Sequence, residues 1–91
     1  MATAGTGNYG TGGTVVYSDK QGCTSFMVHI LSSSANPGMV NIEGLHDAAD
    51  FITMRPGATL VFRRKRSGIT KVTIKGSGAA CDADWGIVAK I

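Results

Sequence analysis

The sequence predicts an all-β domain: a small antiparallel β-sandwich or barrel of about seven strands, with an extended Gly/Thr-rich N-terminal arm. Three observations carry this expectation. Short β-branched and aromatic runs alternate with turn residues along most of the chain. Within those runs apolar residues recur at every second position, as half-buried strands require. Helical periodicity is nearly absent, and its one candidate, GLHDAADF at 44–51, is long enough for a single turn.

The first thirteen residues hold five glycines and three threonines. Gly5, Gly7 and Gly10 match the G-x-G-x-x-G spacing of a dinucleotide loop. That loop needs a strand before it and a helix after it, so that backbone N–H groups converge on the anion. Only Met1 to Ala4 precede Gly5, and the β-branched run TVVYS follows the last glycine. Residues 1–13 therefore read as a flexible or extended arm, and 14–91 as the β-sandwich domain.

The expected strands are Thr14–Ser18, Thr24–Ser32, Met39–Glu43, Asp50–Met54, Thr59–Arg64, Ile69–Lys75 and Asp84–Ile91. Asp19 to Gly22 reads as a turn that makes the first two a hairpin. Pro37-Gly38 and Pro56-Gly57 suit type II turns, and Lys65 to Gly68 reads as the tip of a hairpin between the fifth and sixth strands. Alternation sends Phe26, Val28, Ile30, Val40, Ile42, Leu60, Phe62, Val72, Ile74, Trp85 and Ile87 inward. The second strand is apolar on both faces, and its surplus face, Met27 and Leu31, either lies under the arm or meets a neighbouring subunit.

A chain of 91 residues is one small domain with a thin stability margin, for which oligomerisation is a common remedy. No apolar run is long enough to span a membrane, and no basic segment followed by an apolar stretch marks a signal peptide. Cys23 and Cys81 read as reduced, buried, small hydrophobes. Charge is segregated. Seven of the nine basic residues (Arg55, Arg63, Arg64, Lys65, Arg66, Lys71 and Lys75) fall in a stretch without acids, just after Glu43, Asp47 and Asp50.

No catalytic, cofactor or metal site is expected. His46 with Asp47 and Asp50 lacks the ligand number of a zinc site, and His29 on a mainly apolar strand reads as a partly buried, hydrogen-bonded side chain. The serines at 32–34 lack a nucleophile elbow, and neither cysteine has an activating neighbour in sequence. Asp82 and Asp84 share a face but have no sugar-binding platform beside them, because Trp85 alternates with Ile87 and Ala89 toward the core. The basic run at 63–66 suits an anionic partner, either nucleic acid or an acidic protein surface. No exposed aromatic is interleaved with it, which weakens base stacking relative to backbone electrostatics.

Val40-x-Ile42-x-Gly44, Phe51, Pro56-Gly57-x-x-Leu60-x-Phe62, Ile69-x-x-Val72-x-Ile74 and Trp85 after a small-residue loop together cover about half the chain. This pattern resembles the small β-sandwich decoration (cement) proteins encoded beside the major capsid protein in tailed phages. The resemblance implies a non-enzymatic virion protein, made in the host cytoplasm and often trimeric. Such proteins sit on the capsid surface and clamp neighbouring major capsid protein subunits. In that role Thr6, Tyr9 and Thr11 would reach a neighbour, Met27 and Leu31 would meet a subunit, and Arg63, Arg64 and Arg66 would face an acidic patch. The alternatives are a small basic nucleic-acid-binding barrel using the 63–66 hairpin, and a sugar-binding module with Trp85 as platform.

Overall fold

The structure, a computed structural model, describes residues 4–43, 50–64 and 68–90. They form β1 (Ala4–Tyr9), β2 (Thr14–Ile30), β3 (Gly38–Ile42), β4 (Ile52–Met54), β5 (Thr59–Arg63), β6 (Ile69–Gly76) and β7 (Cys81–Lys90). The all-β expectation holds. All pairings are antiparallel and belong to one continuous sheet, ordered β1-β7-β2-β6-β3-β4, with β5 on the free side of β2. The proposed turn at 44–51 falls mostly outside the described residues.

β2 makes this one sheet into two facing layers. Its first half, Thr14–Ser18, pairs with β6, and its second half, Ser25–Ile30, lies between β7 and β5. One layer is therefore β1-β7-β2-β5 and the other is β2-β6-β3-β4. Between the halves, Ser18 pairs with Lys71 and Cys23 with Ile69, so Asp19 to Gly22 face the single residue Thr70. That bulge bends the strand, as strands do where they switch layers. Gly22 sits there at φ +78, and a Cβ would meet the Ile69 carbonyl oxygen at 2.8 Å. The expected hairpin at this position is thus a single bent strand. Its local turn chemistry is real, since Asp19 accepts a hydrogen bond from the Gln21 N–H at 3.0 Å.

The bend sets Tyr17 against Phe26 with ring centroids 5.4 Å apart, and Phe26 stacks on Trp85 at 5.7 Å. Around these rings, Val28, Ile30, Val40, Ile42, Ile69, Val72 and Ile74 are wholly buried. Each such side chain contributes roughly 1.5–3 kcal/mol of transfer free energy. Burial pushes the Tyr17 hydroxyl up to about 12, with smaller contributions from Cys23 and Asp19. The Cys23 and Cys81 thiols are likewise pushed up, chiefly by burial, and both are free. The molecule measures 35 × 23 × 20 Å, and the short dimension matches two sheets packed ~10 Å apart with their outer side chains.

Connections cross between layers almost everywhere. Among the described residues, β3 and β4 are the one pair of consecutive strands bonded side by side. The expected hairpin between the fifth and sixth strands is absent, because β5 pairs with β2 in one layer and β6 with β2 and β3 in the other. The turn at Pro56-Gly57 is as expected: the Ala58 N–H donates to the Arg55 carbonyl at 3.0 Å, and Gly57 has φ +88.

The N-terminal segment differs most from the expectation. Over Ala4–Tyr9 it is a strand of the chain's own sheet, paired with β7 from Ala4↔Gly86 to Tyr9↔Cys81. Gly5, Gly7 and Tyr9 face inward. A Cβ on Gly5 would stand 2.8 Å from Trp85 Cζ2, and one on Gly7 would stand 3.0 Å from the Tyr9 hydroxyl. The alternate glycines leave space for two aromatic rings, and the Trp85 indole N–H donates to the Tyr9 hydroxyl at 2.9 Å.

Candidate functional site

The outward face of the β1-β7-β2-β5 layer brings together more of the expected contact residues than any other described surface. Directly opposed residues of an antiparallel pair share a face, so the registers define rows that cross all four strands. One row is polar: Thr6, Asp84, His29 and Thr59. The next is mainly apolar: Ala4, Gly86, Met27 and Val61. Leu31 continues the outward positions of β2 past its end, and Arg63 continues those of β5 opposite Ser25.

The polar row is tied together by Asp84. One carboxylate oxygen accepts from the Thr6 hydroxyl at 2.5 Å, and the other lies 3.6 Å from His29 Nδ1. Asp82, two residues earlier on the same face, accepts from the Asn8 side-chain amide at 2.9 Å. The two aspartates do share a face, and each is engaged by the strand beside it. His29 is about a third exposed. Its contact with Asp84 carries charge on both sides only when the imidazole is protonated.

The other expected contact residues are placed differently. Tyr9 is a core residue, 8% exposed, and is turned away from any neighbour. Thr11 is exposed in the turn that joins β1 to β2. Arg64 is half-buried and closes its own connection: its N–H donates to the Thr24 carbonyl at 2.9 Å and its guanidinium to the Gly68 carbonyl at 3.3 Å. Arg66, Lys65, His46 and Asp47 lie outside the described residues. Lys75 stands over the Phe51 ring at 4.1 Å on the opposite layer, so part of the basic stretch is spent on intramolecular contacts. Thr6, Met27, Leu31 and Arg63 are thus brought onto one face, whereas Tyr9 and Arg64 are not.

Val61 is the exposed apolar residue of this face that sequence reading did not single out. Alternation with Phe62 marked it only as outward, and nothing local indicated that β5 would lie at a sheet edge. An open hollow lined by Ser18, Asp19, Lys20, Glu43, Thr70 and Lys71 lies beside the bulge of β2. Its charges are of both signs. Among the described residues, no three His, Cys, Asp or Glu side chains group as metal ligands do.

No family model matches this sequence, and no curated protein is significantly similar to it. Two solved structures share the fold. One is described as the "Solution NMR structure of a de novo designed double-stranded beta-helix": TM-score 0.54, 14% identity, covering 92% of this chain and 94% of that one. The other is described by the statement "Bacillus endospore appendages form a novel family of disulfide-linked pili": TM-score 0.56, 15% identity, covering 94% of this chain and 84% of that one. The fold is therefore similar to a double-stranded β-helix, in agreement with the layer-crossing connections.

Proposed function

We propose that this chain is a non-enzymatic structural protein that works by surface contact with other protein chains, as a subunit decorating and stabilising a phage capsid across major capsid protein subunits. The observation that supports this most is the single outward face on which Thr6, Met27, Leu31 and Arg63 meet. It is a pleated surface with an apolar row beside a hydrogen-bonded polar row and an exposed arginine at its rim. Such a surface suits contact with a broad protein face, where apolar residues supply affinity and the charged rim sets orientation. The resemblance of the residue pattern to cement proteins is what supports the capsid as partner. Similarity in fold to a chain described as forming pili is a further point in favour of a role in assembly. The disulfide linkage of those pili is not carried over, because both cysteines here are buried and free.

The test is co-sedimentation with expanded capsids of the phage that encodes the chain, with capsid melting followed in parallel. Native protein is expected to pellet with the capsids and raise their melting temperature. Met27→Lys, on the outward face, is expected to abolish both effects while leaving the isolated protein folded. Native protein that stays in the supernatant would overturn the proposal.

A further inference from the structure

We infer that β5 is a self-pairing edge: a second copy of this chain adds its own β5 antiparallel to it, about a twofold axis at Val61. The inference concerns copy-to-copy contact. It does not depend on the capsid reading, and it puts a twofold contact where the resemblance to cement proteins implies a trimer.

The hydrogen-bond phase of β5 comes first. Arg64 N–H donates to Thr24 O, and Ile30 N–H donates to Ala58 O. Bonded and non-bonded pairs alternate in an antiparallel ladder, so Phe62·Phe26 and Leu60·Val28 are bonded pairs. Phe62 and Leu60 therefore spend their backbone groups on β2. Thr59, Val61 and Arg63 turn theirs outward, where no strand among the described residues meets them. The same edge exposes large apolar side chains. Leu60 and Val61 are each 39% exposed, although the register of Leu60 opposite Val28 aims it at the core side. Strand edges are ordinarily protected by Lys, Pro, bulges or short length. β5 carries none of these between Thr59 and Phe62. β4 has only three residues, and β1 presents glycines and hydrogen-bonded polar side chains.

The strand is also self-complementary. TLVFR has polar ends and an apolar centre. Pairing about Val61 sets Val61 opposite Val61 of the second copy, Thr59 opposite Arg63, and Leu60 opposite Phe62. All three outward-facing residues become bonded pairs. On the outer face, Met27–Val61 of one copy continues into Val61–Met27 of the other as one apolar row. The two Arg63 side chains end up four strand positions apart, about 13 Å, which exceeds a Debye length of ~8 Å at physiological salt. Moving the twofold axis two residues along, to Arg63, slides one strand by four residues on the other, opposes like charges and uncovers Leu60. Two five-residue strands bury less than a standard interface of ~1,600 Å², so the pair forms in concentration-dependent exchange.

Disulfide trapping tests both the pairing and its register. Facing Cα atoms in a bonded antiparallel pair are about 5.5 Å apart, which suits a disulfide. Cys23 and Cys81 are wholly buried and do not compete. Under mild oxidation, Val61→Cys is expected to cross-link between chains about tenfold faster than Val88→Cys, an exposed control with no symmetric partner. Thr59→Cys and Arg63→Cys are each expected to form no cross-link alone and to cross-link when mixed. In native mass measurements the unmodified chain is expected to dimerise with concentration, and Val61→Lys to remain monomeric with unchanged melting. Cross-linking of Val61→Cys no faster than the control would overturn the inference. So would an oligomer of any size that Val61→Lys leaves intact.

Discussion

β1 and β5 are the two edge strands of one layer, and they solve the same problem in opposite ways. β1 is held to β7 by matched side chains: Tyr9 under the Trp85 indole N–H, Thr6 on Asp84 and Asn8 on Asp82. Two of its three inward positions are glycines, so apart from Tyr9 it adds little apolar surface and offers little to a passing strand. β5 is held to β2 mainly by its backbone and the buried Phe62, and it exposes Leu60 and Val61. The contrast teaches that an edge is made safe or adhesive by its side chains, since the unpaired backbone groups are the same in both.

The largest expected effect breaks the anchor of β1. Trp85→Ala removes the ring that stacks on Phe26 and the donor to Tyr9, and is expected to cost about 3–5 kcal/mol of unfolding free energy in denaturant titration. An effect below about 1 kcal/mol would mean that β1 is not held as described. A smaller effect is expected from Gly5→Ala. The new Cβ would stand 2.8 Å from an indole that is already stacked on Phe26, so the ring or the strand must shift at about 1–3 kcal/mol. Hydrogen exchange should then show β1 amides losing protection before those of β2. The smallest effect is expected at the other edge. Val61→Thr keeps the branched shape at an exposed position, and at low protein concentration should change stability by no more than about 0.5 kcal/mol. A large loss there would show that β5 depends on Val61 within the monomer, and the contrast between the edges would fail.

Much of the interior was legible. Val40 with Ile42, Val72 with Ile74, and Trp85 all point inward as their two-residue alternation indicated, and the Pro56-Gly57 turn has the expected form. Leu60 is the exception: its register aims it inward, yet it stays exposed at the edge, while Phe62 two residues on is covered. Two errors have one cause. Asp19 to Gly22 carries true turn chemistry, yet β6 on one side of the bulge and β7 on the other hold β2 as a single strand. The Gly5-Thr6-Gly7 run read as a flexible or extended arm, not as a strand of the domain, because glycine lowers strand propensity, whereas the ring that requires Gly5 lies far along the chain at Trp85. Of the proposed contact residues, Met27 was readable as surplus apolar surface. Val61 was not, because its importance depends on which strand lies at the edge.

The sequence by itself determined that this chain is built of strands, which faces of those strands are apolar, and where the Pro56-Gly57 turn interrupts them. These are properties of neighbouring residues, set by backbone sterics and a two-residue repeat. Gly38, expected in a second Pro-Gly turn, instead opens β3 without a positive φ. Only the tertiary structure decided that β2 passes through both layers, that β1 docks on β7, and that β5 is left with its outer backbone groups unpaired. Strand partners are chosen by contacts between residues distant in the chain, and no local pattern encodes which strand is left at the end of a layer.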